Sequence, residues 1–153
     1  MSSTGRGIRV SRLTLRTFRY PTEDRETVEV ALLSLLPEDL REEVSLSATR
    51  LKSAHKFTFE ELRLDLRGRA AHRTLVRILA GLSEPDRRDL ALSLAKRVEG
   101  GKLYLRLDKQ ELVEGVIKLY RGGLGGHVHL VANFQGPVPQ EVILSILGRG
   151  ESS

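Results

Sequence analysis

The chain has 153 residues, 40% of them apolar and 29% charged, so we expect one globular domain with a core rather than a disordered or collagen-like chain. It contains no cysteine, which excludes a disulfide scaffold, a cysteine-ligated zinc site, an iron–sulfur cluster and a thiol nucleophile. The net charge of +5 is carried by 19 arginines and 6 lysines, and arginine favours bidentate recognition of phosphate or carboxylate.

The first half of the chain predicts a strand, a helix and then further strands. Residues 9–20 alternate as a half-buried strand does, although Phe18 and Tyr20 fall on the polar parity. Either a bulge near Arg16 or Thr17 returns both rings to the core, or the two rings are exposed. A helix is predicted to begin at Thr22 as its N-cap and to stop at Pro37. Residues 44–49 predict a second strand, and residues 57–66 predict one strand or two short ones.

The second half predicts two helices, three strands and a last helix. The helices are expected over residues 69–82 and after Ser83, which caps the second of them with the help of Asp86. Strands are expected at 102–109, 116–121 and 127–134, with the glycine-rich loop 122–126 before the last of them, and a short helix at 139–147.

These elements predict an α+β fold with two layers. A largely antiparallel sheet of about five to six strands is expected to carry helices on one face, because the last three strands follow one another directly. We assign residues 9–148 to a single domain and residues 1–8 and 149–153 to flexible termini. No run of apolar residues is long enough to cross a membrane or to form a signal peptide, so we expect a cytoplasmic protein without membrane contact.

Charge is unevenly distributed along the chain, which predicts a surface for a polyanion. Residues 1–21 carry +5, residues 22–45 carry −6 and residues 46–82 carry +5. A fold that joins the two basic blocks would form such a surface, whereas a fold that pairs them with the acidic block would neutralise them.

The signatures of common enzymes are missing, and the remaining candidate sites are ambiguous. Neither the Walker A nor the dinucleotide-binding glycine pattern occurs, nor do the esterase and zinc-protease motifs. His127 and His129 could bind a metal with Asp108, or lie on a solvated sheet face. Carboxylates at Glu60, Glu61 and Asp65 could act as acid and base or could be solvated, and the glycine-rich loop could wrap a phosphate or simply be a hairpin loop. We expect no cofactor and no metal.

Aromatic and basic residues interleaved on strands favour nucleic-acid binding. Bases stack on aromatic rings, and arginine and lysine contact phosphates. A row of helical arginines at i, i+4 and i+8 has the length of successive phosphates, or is a solvated helix face. The candidate RNA-binding residues are Arg12, Arg16, Arg69, Arg73, Arg77, Tyr104, Arg106, Lys109, Gln110, Lys118, Tyr120, His127 and His129.

Three stretches of the chain are distinctive. The most specific is Leu-Tyr-Leu-Arg-Leu-Asp-Lys-Gln at 103–110, followed by Gly115, and the others are Pro-Thr-Glu-Asp at 21–24 and Leu-Ser-Glu at 82–84. Together they resemble an archaeal family of small proteins predicted to be exosome subunits or RNA-binding proteins. The resemblance covers about residues 20–131. It implies a fold resembling the large-subunit ribosomal protein that binds 5S rRNA. Where that family tends to carry a Gly/His/Asn-rich turn, this chain has Ser-Ala-His-Lys at 53–56.

The sequence therefore predicts a non-catalytic RNA-binding accessory protein of archaeal RNA processing. Ribosomal or other structured RNA is the expected ligand, and exosome or ribosome components are the expected protein partners. One alternative is a protein-interaction subunit that docks a basic partner through the acidic first helix, with Glu23, Asp24, Glu26 and Glu29. Another is a small metal-dependent hydrolase built on His127, His129 and Asp108.

Overall fold

The computed structural model describes residues 9–149, which form one six-stranded sheet with five helices packed against it. The strands are β1 (Val10–Arg19), β2 (Ser47–Lys52), β3 (Thr58–Arg67), β4 (Val98–Glu99), β5 (Lys102–Asp108) and β6 (His127–Phe134). The helices are α1 (Arg25–Leu33), α2 (Gly68–Gly81), α3 (Glu84–Ser93), α4 (Lys109–Val113) and α5 (Gln140–Arg149), with short 3-10 turns at Glu38–Leu40 and Leu94–Arg97.

The sheet has the order β2-β3-β1-β6-β5-β4, and every neighbouring pair is antiparallel. This confirms the predicted α+β architecture. The termini predicted to be flexible lie outside the described residues, except for Arg149. Among residues 9–149, no helix has the length and apolar character that crossing a membrane requires.

One face of the sheet is buried by leucine, and this face holds the core. Alternate residues of β1, β3, β5 and β6 point to it, including Leu13, Leu64, Leu105 and Leu130, all at most 1% exposed. Helix α2 packs its apolar side, which includes Leu75, against these strands. The burial of about a dozen such side chains, each contributing roughly 1.5–3 kcal/mol, fixes which face of each strand turns inward.

Several boundaries differ from the sequence expectations. Asp24, not Thr22, caps α1, because its carboxylate accepts from the Thr27 amide at 3.0 Å. That helix ends at Leu33, four residues before Pro37. The expected strand at 116–121 is wrong: only an isolated bridge, Leu107 to Leu119, is formed there. The strand expected at 44–49 runs from Ser47 to Lys52 instead.

The aromatic residues of β1 did not need a bulge near Arg16. The register of β1 and β6 shifts only between Val10 and Arg12, so Phe18 keeps the parity of Arg16 and faces away from the core. Strand β3 is likewise a single strand, with no change of parity at Glu60 and Glu61. Neither ring joins the core, as the second sequence alternative expects, but only Tyr20 is exposed, at 40%, whereas Phe18 is half-buried.

Elements that the sequence did not indicate are short. The two-residue strand β4 pairs with β5 through a turn in which Gly100 and Gly101 have φ of 56° and 77°, a conformation that glycine adopts without strain. Helix α4 is one turn long, and Asp108 caps it by accepting from the Glu111 amide at 3.0 Å.

Asp86 anchors the irregular segment that replaces the expected strand. Its carboxylate is buried, accepts the Leu119 amide at 2.8 Å and pairs with Arg121 at 2.6 Å. We expect Asp86→Ala to lower the free energy of unfolding by about 1–3 kcal/mol, because a buried amide loses its acceptor. Urea denaturation measures this change.

The matched control is Asp89→Ala. Asp89 also pairs with Arg121, but its side chain is 54% exposed, so we expect a change within about 0.5 kcal/mol. Equal effects of the two substitutions would contradict the anchoring role of Asp86.

Candidate nucleic-acid interface

The sheet face opposite the core carries a row of cations, three arginines, with a histidine between two of them. Arg16 lies opposite Arg63 of β3 on one side and His129 of β6 on the other, and His129 lies opposite Arg106 of β5. Neighbouring strands are about 4.8 Å apart, so these four side chains form a line across the sheet. We call this side of the sheet the open face.

Carboxylates neutralise the β3–β1 half of the open face. Asp65 accepts from Arg12 at 2.9 Å, from Arg63 at 2.9 Å and from the Thr14 hydroxyl at 2.8 Å. Partial burial acts to raise the pKa of Asp65, but these hydrogen bonds outweigh it and lower the pKa to about 2. Arg16 also pairs with Glu61, at 3.3 Å. The arginines of this half are therefore largely satisfied within the protein.

The β5 side of the open face keeps its positive charge. Among residues 9–149, no carboxylate forms an ion pair with Lys96, Arg97 or Arg106. Burial, then the charges of Arg121 and Arg106, lower the pKa of Arg97 below its ordinary value. The charge of Asp89 acts on Arg97 in the opposite direction, but the cations of this region outnumber its carboxylates, and such an excess forms a site for an anion.

A groove of about 610 Å³ lies among these cations. The groove is lined by the cations Lys96, Arg97 and Arg106, by one carboxylate, Glu99, and by the rings of Tyr104, Tyr120 and His129. Three cations, one carboxylate and three rings thus share one cavity. Its volume is in the range of cavities that take a small organic ligand.

Four rings line up beside the row of cations. The Tyr104 and His129 rings are stacked with centroids 6.4 Å apart, His129 meets His127 edge-on at 6.4 Å, and His127 lies 5.0 Å from Tyr120. Tyr120 is held there although its segment is not a strand, because its amide donates to the Arg106 carbonyl at 2.9 Å and its hydroxyl to the Gly123 carbonyl at 3.0 Å.

The surroundings of the two histidines lower the pKa of each imidazole. Burial, then the charges of Arg106, Arg16 and Lys109, lower the pKa of His127 below its ordinary value. Burial, then Arg16, Arg106 and His127, lower the pKa of His129 in the same direction. A bound anion would offset these charges and raise both pKa values.

The predicted arginine row on α2 lies on the other layer of the protein. The apolar side of α2 covers the core face, so Arg69, Arg73 and Arg77 face away from the sheet. Arg73 forms a bidentate pair with Asp39, at 2.8 and 2.9 Å, and Arg77 donates to the Ser34 carbonyl at 3.3 Å. The fold therefore joins the two basic blocks only in part: Arg63 of β3 lies beside Arg16 of β1 on the open face, whereas the arginines of α2 lie on the other layer.

Three other predicted residues lie at the margin of the open face. Lys118 is exposed two residues before Tyr120, and Gln110 is exposed with its side chain against Gly125. Lys109 does not fit the expectation of an RNA contact. It is 3% exposed, and its ammonium group donates to the Phe18 carbonyl at 2.6 Å and to the Glu23 carboxylate at 2.8 Å. Such a lysine is a structural tie between β1 and α4 and is not free to contact RNA.

The alternative catalytic sites are not assembled. No group of three histidine or acidic residues among residues 9–149 is arranged to hold a metal ion, and the Asp108 carboxylate caps α4. Glu60 and Glu61 point to opposite faces of the sheet. Glu60 is 7% exposed and pairs with Arg19 at 2.7 Å and with Arg25 at 3.2 Å.

Two features of the open face were not expected from the sequence: Lys96 and Arg97 in the groove, and a set of aromatic residues at the far side. The sequence pattern placed Lys96 and Arg97 in the helix that follows Ser83, and only the pairing of β4 with β5 brings them beside Tyr104. The aromatic set was visible as Phe18 and Tyr20 on the polar parity of β1, followed by Phe57 and Phe59 on the polar parity of β3.

The comparison with protein families decides the family of the chain. A family model described as RNA binding matches residues 12–134, which is most of the chain. The chain belongs to this RNA-binding family. A comparison with curated proteins finds no significant match.

Solved structures of archaeal proteins share the fold. A DUF54 protein from Methanothermobacter thermautotrophicus is 25% identical, with a TM-score of 0.68 over 92% of this chain and 97% of its own. A DUF54 protein from Sulfolobus solfataricus is 17% identical, with a TM-score of 0.73 over 92% and 98%. A UPF0201 protein from Methanococcus jannaschii is 17% identical, with a TM-score of 0.63 over 89% and 98%.

The lowered histidine pKa values predict that acid destabilises the free protein. An unfolded histidine titrates at about 6.5 and therefore binds a proton at a pH where His127 and His129 are still neutral in the native state. The free energy of unfolding is thus expected to fall as the pH drops through about 6.5. Urea denaturation at a series of pH values measures this slope.

The control is the double variant H127Q/H129Q, which has no imidazole at either position. Its unfolding free energy should depend less on pH over this range than that of the wild type. An unchanged pH dependence in the double variant would contradict the assignment to these two histidines.

Proposed function

We propose that the chain binds RNA directly and without catalysis through the β5–β6 half of the open face. The observation that carries this proposal is the groove in which Arg97 and Arg106 lie beside the ring faces of Tyr104 and His129, neither arginine forming an ion pair among residues 9–149. Arginine supplies hydrogen bonds to phosphate oxygens, and aromatic rings supply stacking surface for bases. Membership of the RNA-binding family supports the same ligand.

The charge distribution favours the β5 side over the rest of the surface. The arginines of the β3–β1 half share Asp65 and Glu61, and Arg73 on α2 already holds Asp39. A phosphate that approaches these arginines must compete with a carboxylate, whereas one that approaches Arg97 or Arg106 does not. Of the predicted residues, we therefore assign the main phosphate contact to Arg106 and add Arg97.

We further propose that the protein is an accessory subunit of an archaeal RNA-processing assembly. Its expected partners are exosome or ribosome components, and its expected location is the cytoplasm. The archaeal origin of the structural neighbours supports this setting. Helix α1 is the surface that fits a protein partner, because Val30 is 59% exposed beside the exposed Glu26. An exposed apolar side chain among acidic ones suits a partner with a basic, partly apolar surface.

Substitution of the unpaired arginines tests direct binding. We expect R97Q/R106Q to weaken the binding of RNA in a fluorescence-anisotropy titration. The slope of log affinity against log salt should also decrease, by about 0.7 for each phosphate of a single strand that the variant no longer neutralises. The matched control is R69Q/R73Q/R77Q, which removes three arginines from the opposite layer. A decrease in affinity and slope in this control alone would contradict the proposed site and indicate that RNA binds at α2.

The partner is tested by co-purification from an archaeal extract with and without nuclease. A partner that binds through α1 should still co-purify after nuclease treatment. It should no longer co-purify with the V30D variant, because this substitution places a charge in the apolar contact. A partner bridged by RNA should be lost on nuclease treatment whether or not Val30 is changed, and that result would contradict docking through α1.

A further inference from the structure

Most aromatic residues of this protein lie on the open face of the sheet and not on the face that holds the core. The chain has three tyrosines, four phenylalanines and no tryptophan. Only Phe134 belongs to the core, whereas the other six lie on the open face or at its rim: Phe18, Tyr20, Phe57, Phe59, Tyr104 and Tyr120. Aromatic side chains ordinarily contribute most to a core by their large apolar area, yet here leucine fills the core. Placing six rings toward solvent indicates a ligand that uses them.

Four of these rings form a second cluster, which we call the aromatic patch and which consists of Phe18, Tyr20, Phe57 and Phe59. The Phe59 ring is the centre: Phe18 lies 5.4 Å from it, Tyr20 lies 5.6 Å from it in a stacked arrangement, and Phe57 lies 6.0 Å from it. Tyr20 and Phe57 are 40% and 45% exposed. The patch therefore offers ring surface to solvent at the end of the open face where β1 and β3 meet.

The aromatic patch is continuous with the groove. A cavity of about 160 Å³ is lined by Phe18 together with His127, His129 and Arg106, and Arg106 and His129 also line the groove. Rings thus follow one another from Tyr104 through the two histidines to Phe18 and on to Phe57. From β5 to β3 this path crosses three strand spacings, or about 14 Å.

The row of cations runs beside the path of rings. Arg106 and Arg16 both border the cavity that joins the two clusters. Beyond it, exposed Lys56 lies in the turn before Phe57, and no carboxylate among residues 9–149 forms an ion pair with that lysine. A chain that lays its bases on the rings would have cations within reach of its phosphates at both ends of the path.

We propose that the ligand of this face is single-stranded RNA, with unpaired bases stacked along the rings from the groove to the aromatic patch. This inference rests on the proposed function and specifies its ligand class. A paired A-form helix hides the faces of its bases and presents phosphates and ribose hydroxyls, so the rings would gain nothing from it. Its broad backbone would also meet Asp65, which lies on the same face outside the path of rings.

Two substitutions at opposite ends of the path test the proposal. Y104L and F57L remove a ring and keep an apolar side chain of similar size. Each is expected to lower the affinity for a short unstructured RNA by roughly 5- to 150-fold, because stacking on one aromatic side chain contributes about 1–3 kcal/mol per base. Neither should change the slope of log affinity against log salt, since no charge is removed.

The readout of stacking is the fluorescence of 2-aminopurine placed within the same RNA. Unpaired 2-aminopurine that stacks on a ring is expected to lose intensity when the wild-type protein binds and to lose less with Y104L or F57L at saturating protein. L92A is the control, because Leu92 is 82% exposed on α3 and has no ring. A blunt duplex of the same sequence is the competing ligand and is expected to bind at least tenfold more weakly.

The outcomes separate this inference from the proposed function. Binding of the duplex as tight as that of the single strand, with Y104L and F57L unchanged, overturns the single-strand assignment and leaves RNA binding intact. No binding of either RNA at low salt overturns both. A decrease in affinity in Y104L alone confirms stacking in the groove and overturns the extension of the path to the aromatic patch.

Discussion

The burial of one face of the sheet by leucine is the constraint on which the rest of the molecule depends. Side chains of a strand alternate between faces, so a shift of one residue in register would carry Leu15 and Leu130 into solvent and Arg16 and His129 into the core. The cost of such a shift fixes the register of β1, β3, β5 and β6 together. The row of cations across the open face is a consequence of that register.

The open face has two halves with different electrostatics, and the difference comes from the positions of a few carboxylates. Asp65 is placed so that Arg12, Arg63 and Thr14 all donate to it, which leaves that half close to neutral. At the other edge, the hairpin of β4 and β5 brings Lys96 and Arg97 to Tyr104. Glu99 lines the same groove, but among residues 9–149 no carboxylate forms an ion pair with either cation. The positive potential is therefore concentrated in the groove.

The groove also depends on groups that do not touch it. Asp86 holds the irregular segment through the Leu119 amide, and this contact places Tyr120 next to His127. Buried Lys109 ties α4 to the end of β1 and lies 5.6 Å from the centre of the Tyr20 ring. Rigid supports of this kind reduce the conformational entropy that the protein's own side chains lose when a ligand binds.

Sequence alone determined the architecture, because strand alternation and helix caps are local patterns that report burial and hydrogen bonding directly. It identified β6 from residue 127 to residue 134, the Ser83 cap of α3 and the interleaved rings and cations of β5 and β6. It placed a strand at residues 116–121, where the structure has only one bridge, because the Asp86 carboxylate, a distant residue, takes the Leu119 amide.

Only the tertiary structure decided which cations are free. The arginines of α2 and the lysine at position 109 look like phosphate ligands in sequence, but ion pairs with Asp39 and Glu23 occupy Arg73 and Lys109. Arg97, by contrast, joins the site through the pairing of β4 with β5. Ion pairs and strand pairings join residues far apart in the chain, so no local pattern reports them.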